Sequence, residues 1–392
     1  MKKNKILFFY SLFLGFGTLF ADQPDGFSKI WQDIESIYLQ RLKENNIIGS
    51  SMIFIADGKI VGQTFFGMAD LDTHRQVNAQ TLFHWASITK TFTAIAIMQL
   101  RDRELLQLED PIVDYIPELR QVYNPYGDMD QITIRHLLTH SSGFRNPTWP
   151  WGGDKKWHPY EPKDWSQLVA MFPYTEILFE PGSQHRYSNP GFIFLGRIIE
   201  LVSGEDYEIY MDKNVLKPLK MYSSYFDITP YHLLQFRSNS YFIQKDTLIS
   251  NGLDFDTGIT VSNGGLNAPI GDMVRYLSFL LNHGADIYPI LKRKSLEEMW
   301  EPQLFITEQN NLKFSRGLSY LILEDENLRL IGHSGEQRGF ISFFYIHPES
   351  RTGTIVVFNT LDIPTVGLAN THKISDELRG QLINRLWPLF LK

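Results

Sequence analysis

Strand-like segments lie near both ends of this chain, and a long stretch of helical pattern and loops separates them. Near the amino end, runs over residues 52–56 and 59–66 meet at Asp57-Gly58, a dipeptide typical of a tight β-hairpin. Similar runs return only near the carboxyl end, over residues 318–323, 328–333, 341–346 and 354–358. The economical arrangement is one antiparallel sheet built from both ends, with a mainly helical region inserted between its second and third strands.

Helical spacing of apolar residues predicts the elements that flank and interrupt this sheet. The clearest runs cover residues 27–44, 91–100, 134–138, 189–202, 270–281 and 374–390. We therefore predict a mixed α/β (α+β) fold with an amino-terminal part over residues 22–75, a helical region over 76–264 and a carboxy-terminal part over 265–392. An active site would lie in the seam between the sheet and the inserted region.

Residues 1–21 have the composition of a signal peptide. Three lysines precede an apolar run over residues 6–20, and the small Ala21 is followed by polar residues. We predict an exported protein, periplasmic or secreted. Leu19 fits a cleavage site poorly, so an uncleaved anchor that keeps the protein near a membrane is the alternative.

Composition excludes some partners and sites. A formal net charge of −7 argues against nucleic acid as a partner. The 392-residue chain has no cysteine, which excludes disulfides, cysteine-bound zinc and a lipidated amino-terminal cysteine. The sequence leaves the oligomeric state open.

Ser87 and Lys90 stand three residues apart at the start of the apolar run over residues 91–100. Residues at this spacing share a helix face, so the lysine amine can reach the serine hydroxyl. Burial lowers the pKa of a lysine, and a neutral amine can take the proton of an otherwise inert serine. The pair predicts a nucleophile with its base. The alternative is a serine N-cap followed by a lysine that extends to water.

The tripeptide Tyr187-Ser188-Asn189 is flanked on both sides by proline and glycine, which predicts a turn. From a turn, Tyr187 and Asn189 can project into a cleft while Ser188 faces away. A tyrosine near a lysine can act as a general base, and an asparagine amide can hold both a lysine and a substrate amide. The alternative is a core tyrosine with an asparagine that completes the turn.

The stretch Gly332-His333-Ser334-Gly335-Glu336 suggests a competing hypothesis, the nucleophile elbow Gly-x-Ser-x-Gly of α/β-hydrolases. Its fifth residue is glutamate, and a strand-like run follows where an elbow needs a helix. We favour a strand beside the Ser87 helix, which presents backbone N–H groups to an oxyanion and His333 to the cleft.

His136 and His140 have a spacing that binds zinc on some helices, but no glutamate follows the first histidine and no third ligand is evident. The surrounding residues favour a capped helix end. We predict no metal and no cofactor.

Taken in order, Ser87-Ile88-Thr89-Lys90, Tyr187-Ser188-Asn189 and His333-Ser334-Gly335 resemble the three active-site motifs of the penicillin-recognising serine hydrolases. The most similar group contains class C β-lactamases, D-alanyl-D-alanine carboxypeptidases, D-aminopeptidases and esterases. Residues 132–143 and shorter stretches such as Pro181-Gly182 and Gly264-Gly265-Leu266 add to the resemblance. It covers nearly the whole mature chain and implies a β-lactamase/transpeptidase-like fold.

The resemblance implies a role for each motif residue. Ser87 attacks a carbonyl and forms an acyl-enzyme, Lys90 and Tyr187 share the proton transfer, and Asn189 positions the substrate. His333, Ser334 and Gly335 border the substrate, and the backbone N–H groups of Ser87 and Glu336 form the oxyanion hole. Which of Lys90 and Tyr187 is the general base stays open.

Two residues depart from the familiar pattern. His333 stands where the related lactamases and carboxypeptidases have lysine, and at neutral pH a histidine carries only part of a positive charge. Glu336 stands where small residues are usual, and its carboxylate would repel an anionic substrate unless Arg338 offsets it. Both changes favour an esterase, D-aminopeptidase or carboxypeptidase-like activity over an efficient β-lactamase.

Residues 146–165 carry five aromatic side chains among prolines and glycines, which suggests an aromatic wall or lid beside the cleft. A loop that packs its aromatics on the helical region explains the same composition.

The function that we predict is therefore an exported serine hydrolase acting on a small-molecule or peptidoglycan-like ester or amide. The alternative is a non-enzymatic binding or sensor domain that recognises penicillin.

Overall fold

The computed structural model describes residues 23–144, 162–245, 247–253, 256–281, 290–309, 311–363 and 367–391. The predicted signal peptide and most of the aromatic segment over residues 146–165 lie outside these ranges. Predictions on those two segments therefore remain predictions.

The elements follow in chain order as helices and strands of both ends and of the segment between them. The helices are α1 (Phe27–Glu44), α2 (Thr89–Asp102), α3 (Ile112–Tyr115), α4 (Ile134–Leu138), α5 (Trp165–Val169), α6 (Asn189–Ser203), α7 (Tyr207–Met211), α8 (Val261–Gly264), α9 (Ile270–Leu280), α10 (Arg293–Met299) and α11 (Asn370–Gln381). The strands are β1 (Gly49–Ala56), β2 (Lys59–Asp70), β3 (Arg75–Gln76), β4 (Leu82–His84), β5 (Tyr225–Phe226), β6 (Tyr241–Gln244), β7 (Thr247–Ser250), β8 (Leu266–Pro269), β9 (Leu304–Gln309), β10 (Leu312–Arg316), β11 (Leu321–Glu324), β12 (Arg329–Gln337), β13 (Phe340–His347), β14 (Thr352–Phe358) and β15 (Thr360–Ile363).

The main sheet joins the two ends of the chain. Its order is β3-β2-β1-β14-β13-β12-β11-β10-β9, with antiparallel pairing throughout. At the junction, Ile53 of β1 faces Gln63 of β2 on one side and Ile355 of β14 on the other. The predicted sheet from both termini is confirmed.

Both faces of the sheet are covered, because side chains of β1 alternate between two hydrophobic cores. Met52 and Phe54 pack with α1, α11 and the carboxy-terminal residues. Ile53 and Ile55 pack with α2 and the inserted helical region. Every residue of α2 from Thr89 to Leu100 is buried, so the predicted buried helix is confirmed.

Some boundaries differ from the prediction. The run over residues 318–323 begins as a turn, since Ser319 has a φ of 74° and the Gly317 N–H donates to the Tyr320 carbonyl; the strand starts at Leu321. β12 continues past His333 to Gln337. The last helix is regular only to Gln381, and a π-helical and a 3-10 turn follow.

The β9–β10 hairpin and two small sheets were not predicted, because their strands are short or half exposed. β4, β8 and β5 form one small sheet and β15, β6 and β7 the other. Among the helices of the described ranges, none has the length and hydropathy needed to cross a bilayer.

Candidate active site

The backbone around Ser87 holds the hydroxyl at the start of α2. Ser87 lies in a 3-10 turn over Ala86–Ile88, and Ala86 adopts a left-handed φ of 48°. For a residue other than glycine this conformation costs about 1 kcal/mol, so the turn stores a little strain directly before Ser87. Trp85, which precedes Ala86, is held to β8 by two hydrogen bonds. Its backbone amide donates to the Leu266 carbonyl, and its indole N–H donates to the Ala268 carbonyl.

Lys90 lies on the same helical face and is fully buried. Its Nζ is 3.1 Å from Ser87 Oγ and donates to the Asn263 carbonyl at 2.7 Å. Burial, and secondarily the charge of Arg316, lowers its pKa well below 10.5. Nζ also lies 5.0 Å from the centroid of the Tyr187 ring, which favours the charged amine by about 1–2 kcal/mol. Desolvation of a buried ammonium costs several kcal/mol, so its effect on the pKa is larger.

The second motif lies at the start of α6. Ser188 caps this helix, since its Oγ accepts from the Gly191 amide at 3.2 Å, and its side chain faces away from the site as predicted. The Ser188 amide donates to Nδ1 of His140 at 3.1 Å. The His140 ring lies 4.3 Å from the Tyr187 ring, centroid to centroid, so His140 holds the tyrosine from behind.

The Tyr187 hydroxyl lies near Ser87, and the Tyr187 ring lies near Lys90. Burial raises the pKa of Tyr187 to about 12, although the nearby Ser87 hydroxyl and the Arg316 charge lower it. The Ser87 hydroxyl is close enough to affect this pKa, but no described residue forms a well-aligned hydrogen bond with the Tyr187 oxygen. Tyr187 is therefore neutral at pH 7.

The third motif lies on β12. Beyond the pair Leu321 and Gly332, the residues 333–337 have β13 on one side and no strand on the other. The Ser87 turn lies over the face of β12 at this point, so close that a Cβ added at Gly335 would be 2.2 Å from the Trp85 carbonyl oxygen and 3.2 Å from the Ser87 nitrogen. The strand thus brings its open backbone beside Ser87. The elbow hypothesis is wrong, because Gly332–Glu336 lies in a hairpin of two strands.

His333 is buried, and the expectation of a partial positive charge there is wrong. Burial lowers the pKa of His333 well below 6.5, and the charges of Arg316 and Lys90 lower it further. Its Nδ1 lies 2.6 Å from the Ser334 carbonyl oxygen, which can only accept, so Nδ1 carries the proton. Nε2 is then an acceptor, and no described residue donates to it.

Arg316, at the end of β10, brings the positive charge that His333 lacks. It is 7% exposed; Nη1 donates to the Ser319 carbonyl at 3.0 Å and Nε faces His185 Nε2 at 3.3 Å. No carboxylate of the described ranges pairs with it. Burial lowers its pKa to about 10, so it stays charged at neutral pH. Sequence reasoning missed Arg316 because no spacing links it to a motif.

Glu336 and Ser334 lie on the exposed side of β12, on the opposite strand face from His333 and Gly335. Glu336 forms an ion pair with His372 of α11, with 2.8 Å between Oε2 and Nε2. The Glu336 carboxylate raises the pKa of His372. The cation that offsets Glu336 is therefore His372, where the sequence pointed to Arg338.

His136 and His140, whose spacing is found at some zinc sites, each accept a backbone hydrogen bond. His136 closes the first turn of α4, where its Nδ1 accepts from the Thr133 amide at 3.2 Å. His140 has a left-handed φ of 56° and its ring belongs to the Tyr187 support described above. Within the described ranges no cluster of three or more potential metal ligands occurs.

Asn189, the first residue of α6, accepts at its backbone carbonyl from the Asn263 amide at 3.5 Å. Asn263 therefore touches both Lys90 and the second motif, although sequence reasoning did not assign it a role. The stretch Gly264-Gly265-Leu266, which belongs to the resemblance, follows it directly.

The fold and the juxtaposed motifs define a mixed α/β protein of the β-lactamase and transpeptidase group. The family model described as Beta-lactamase matches residues 34–377, and the chain belongs to this family. A Staphylococcus aureus (strain MW2) protein named flp is 27% identical over 355 residues, which are 90% of this chain and 66% of that protein. This chain thus spans slightly less than two thirds of that relative's length.

Other relatives agree in fold. Penicillin-binding protein 4* of Bacillus subtilis (strain 168) is 24% identical over 82% of this chain and 70% of its own length. The octameric penicillin-binding protein homologue from Pyrococcus abyssi is 26% identical, with a TM-score of 0.73 over 90% of this chain and 76% of its own. A class C β-lactamase, 19% identical, shares the fold with a TM-score of 0.72 over 92% of this chain and 97% of its own.

Proposed function

We propose that the protein is an exported serine hydrolase that cleaves an ester or amide through an acyl-Ser87 intermediate. The observation that carries the proposal is the distance of 3.1 Å between Ser87 Oγ and the fully buried Nζ of Lys90. Membership of the family supports a serine hydrolase, and the composition of residues 1–21 supports export.

The charges of the site favour Lys90 as the base. Its pKa is lowered and that of Tyr187 is raised to about 12, so the neutral amine is the more available proton acceptor. Ser87 Oγ attacks the substrate carbonyl carbon as its proton passes to Nζ. The bond to the leaving alcohol or amine then breaks, and the leaving group takes that proton, with the neutral Tyr187 hydroxyl as a relay. Water repeats the sequence on the acyl-enzyme and frees Ser87.

The oxyanion formed in these steps needs two donors. The free edge of β12 beside the Ser87 turn supports the backbone N–H groups of Ser87 and Glu336 for this role. Asn189, Ser334 and Gly335 then border the substrate, and the neutral His333 offers Nε2 as an acceptor.

Arg316 favours a substrate with an anionic group. Its guanidinium is charged, lies near Lys90, Tyr187 and His333, and has no carboxylate partner among the described residues. A carboxypeptidase-like or esterase activity on carboxylate-bearing substrates fits this charge better than a D-aminopeptidase activity on cationic ones. Slow nitrocefin turnover, expected from the histidine and glutamate at positions 333 and 336, stays a separate prediction, because Arg316 supplies a positive charge close to His333.

Two measurements test the proposal. Intact-mass analysis after treatment with a fluorophosphonate should show one adduct on the wild type and none on Ser87→Ala. Hydrolysis of p-nitrophenyl acetate and butyrate should fall by about 10⁴- to 10⁶-fold in Ser87→Ala. An unlabelled wild type with equal rates in both proteins would overturn the proposal and favour the binding domain. A penicillin adduct that persists for hours would instead favour a sensor or a peptidase, and ester or peptide turnover by the wild type then separates these two.

A further inference from the structure

A buried hydrogen-bonded chain outside the three motifs connects the two backbone segments that border the proposed oxyanion. His84, the last residue of β4, is fully buried. Its Nδ1 lies 3.0 Å from Asn267 Oδ1 on β8, and its Nε2 lies 3.0 Å from Oε1 of Gln337, the last residue of β12. His84 stands three residues before Ser87, and Gln337 directly follows Glu336.

The hydrogen-bond partners fix the tautomer of His84. The Asn267 amide nitrogen donates to the carbonyls of Gly265 at 3.0 Å and Asp227 at 3.2 Å, so Asn267 Oδ1 is an acceptor. Nδ1 of His84 must therefore carry a proton. Burial, together with the charges of Arg237 and Arg338, keeps the pKa of His84 near 3, so the ring is neutral and Nε2 accepts. Nε2 of His84 and Oε1 of Gln337 cannot both accept, so we assign the Gln337 amide the flipped orientation, in which its N–H donates to His84 Nε2.

The hydrogen bonds of His84 lie where they can affect the geometry of the oxyanion hole. On one side, β4 leads through Trp85 and Ala86 directly to Ser87. On the other, Gln337 ends the strand whose Gly335 lies against the Ser87 turn. A rigid polar contact between the ends of β4 and β12 sets how far apart the Ser87 and Glu336 backbones lie. A shift of a few tenths of an ångström between two oxyanion donors weakens their hydrogen bonds in the tetrahedral state.

We propose that His84 and Gln337 are positioning residues that hold the Ser87 turn and the end of β12 at the spacing the oxyanion hole needs. The inference rests on the proposed function, because it gives these residues a role in acyl transfer. They touch neither substrate nor Ser87 Oγ. Their removal should weaken binding of the tetrahedral state and leave binding of the ground state unchanged.

The test compares Gln337→Leu with wild type on a p-nitrophenyl ester and on a phenylboronic acid, which forms a tetrahedral adduct with an active serine. We expect kcat to fall about 10- to 100-fold, KM to stay within about twofold, and boronate affinity to fall by the same factor as kcat. Gln63→Leu is the matched control, since Gln63 is exposed on β2 at a distance of four strands from β12. It should change none of the three.

A second variant keeps the proposal testable if leucine disturbs folding. In Gln337→Glu the carboxylate presents only acceptors to His84, so the contact re-forms only when His84 is protonated, against the opposing charges of Arg237 and Arg338. The kcat of Gln337→Glu divided by that of wild type should rise as the pH falls. The same ratio for Gln337→Leu should not change with pH. Unchanged kcat and boronate affinity in both variants, with wild type active and Ser87→Ala inactive, overturn this inference alone. A wild type that does not label at Ser87 overturns it together with the proposed function.

Discussion

Lys90 Nζ lies 3.1 Å from Ser87 Oγ with no surface of the lysine side chain exposed to solvent. The amine has one strong protein acceptor, the Asn263 carbonyl, and no carboxylate among the described residues pairs with it. An ammonium in this position loses its hydration and gains little in return. The same enclosure that makes the lysine a poor cation makes it a usable base.

The first prediction concerns the pH dependence of ester hydrolysis. The folded pKa of Lys90 is lowered, so the base-competent neutral form grows as the pH rises through that value, and kcat/KM should rise with it. Lys90→Arg, which cannot lose its proton, should lack this limb and fall by about 10²- to 10⁴-fold. The check is a pH-rate profile from pH 4 to 10. A limb that persists in Lys90→Arg would assign it to another group.

The second prediction is that the same lysine destabilises the fold. In the unfolded chain Lys90 is protonated below its ordinary pKa of 10.5, whereas burial in the folded protein disfavours the protonated form. The unfolded state therefore binds more protons, and the free energy of unfolding decreases as the pH falls below 10.5. Lys90→Met removes this cost and should raise the free energy of unfolding by about 1 kcal/mol or more at pH 7. Urea unfolding measures it. The gain should shrink toward pH 10, and a constant gain would point to better packing.

The third prediction is that Arg316 binds the carboxylate of the substrate and takes no part in the chemical step. Arg316→Gln should raise KM for an acyl-peptide with a free carboxyl terminus by about 10- to 100-fold, and leave KM of its methyl ester nearly unchanged. Because the Arg316 charge contributes to the low pKa values of His333 and His185, both histidines should titrate at higher pH in the variant. Equal effects on acid and ester would contradict an anion contact.

The fourth prediction concerns the rim pair of Glu336 and His372. The pKa of His372 is raised by Glu336, so the pair is charged below that value and loses its cation as the pH rises through it. Glu336 then repels anionic substrates, and their KM should increase as the pH rises through the pKa of His372. His372→Gln should show the high KM at every pH. A neutral ester is the control substrate, and a parallel rise in its KM would contradict the electrostatic cause.

The fifth prediction tests the close approach of β12 to the Ser87 turn. A Cβ at Gly335 would lie 2.2 Å from the Trp85 carbonyl oxygen, a backbone atom that can move only with the turn. Gly335→Ala should therefore abolish labelling by a fluorophosphonate while circular dichroism stays native. Gly271→Ala in α9 is the control, because nothing lies within 4 Å of its added Cβ. Full labelling of Gly335→Ala would show that the strand is not held against the turn.

Sequence patterns predicted the parts of the fold that depend on residues close to one another in the chain. The apolar run after Lys90 predicted a buried helix, and the strand-like runs near both ends predicted one antiparallel sheet that joins them. Proline and glycine on both sides of residues 187–189 predicted the turn there, and the N-cap role of Ser188 came only from the structure. These features depend on neighbours in the chain, which a sequence displays.

The features that the sequence did not predict depend on contacts between residues far apart in the chain. Arg316 sits in an ordinary short strand, and only the turn at Ser319 directs the chain so that its guanidinium lies beside the third motif. His372 meets Glu336 because α11 crosses back over the sheet. The charge of His333 was misjudged for the same reason, since burial and a remote arginine decide its pKa. No local spacing encodes these contacts.

The pairing of β1 with β14 also determines when the main sheet can close during synthesis. β1 is made early, but its partner begins at Thr352, so most of the chain must leave the ribosome before the sheet closes. Contacts so distant in sequence form slowly, and the edge of β1 stays open to wrong partners in the meantime. Ser87 and Gly335 both lie between these two strands in the chain, so the segment that carries the candidate active site is enclosed only when β14 pairs with β1.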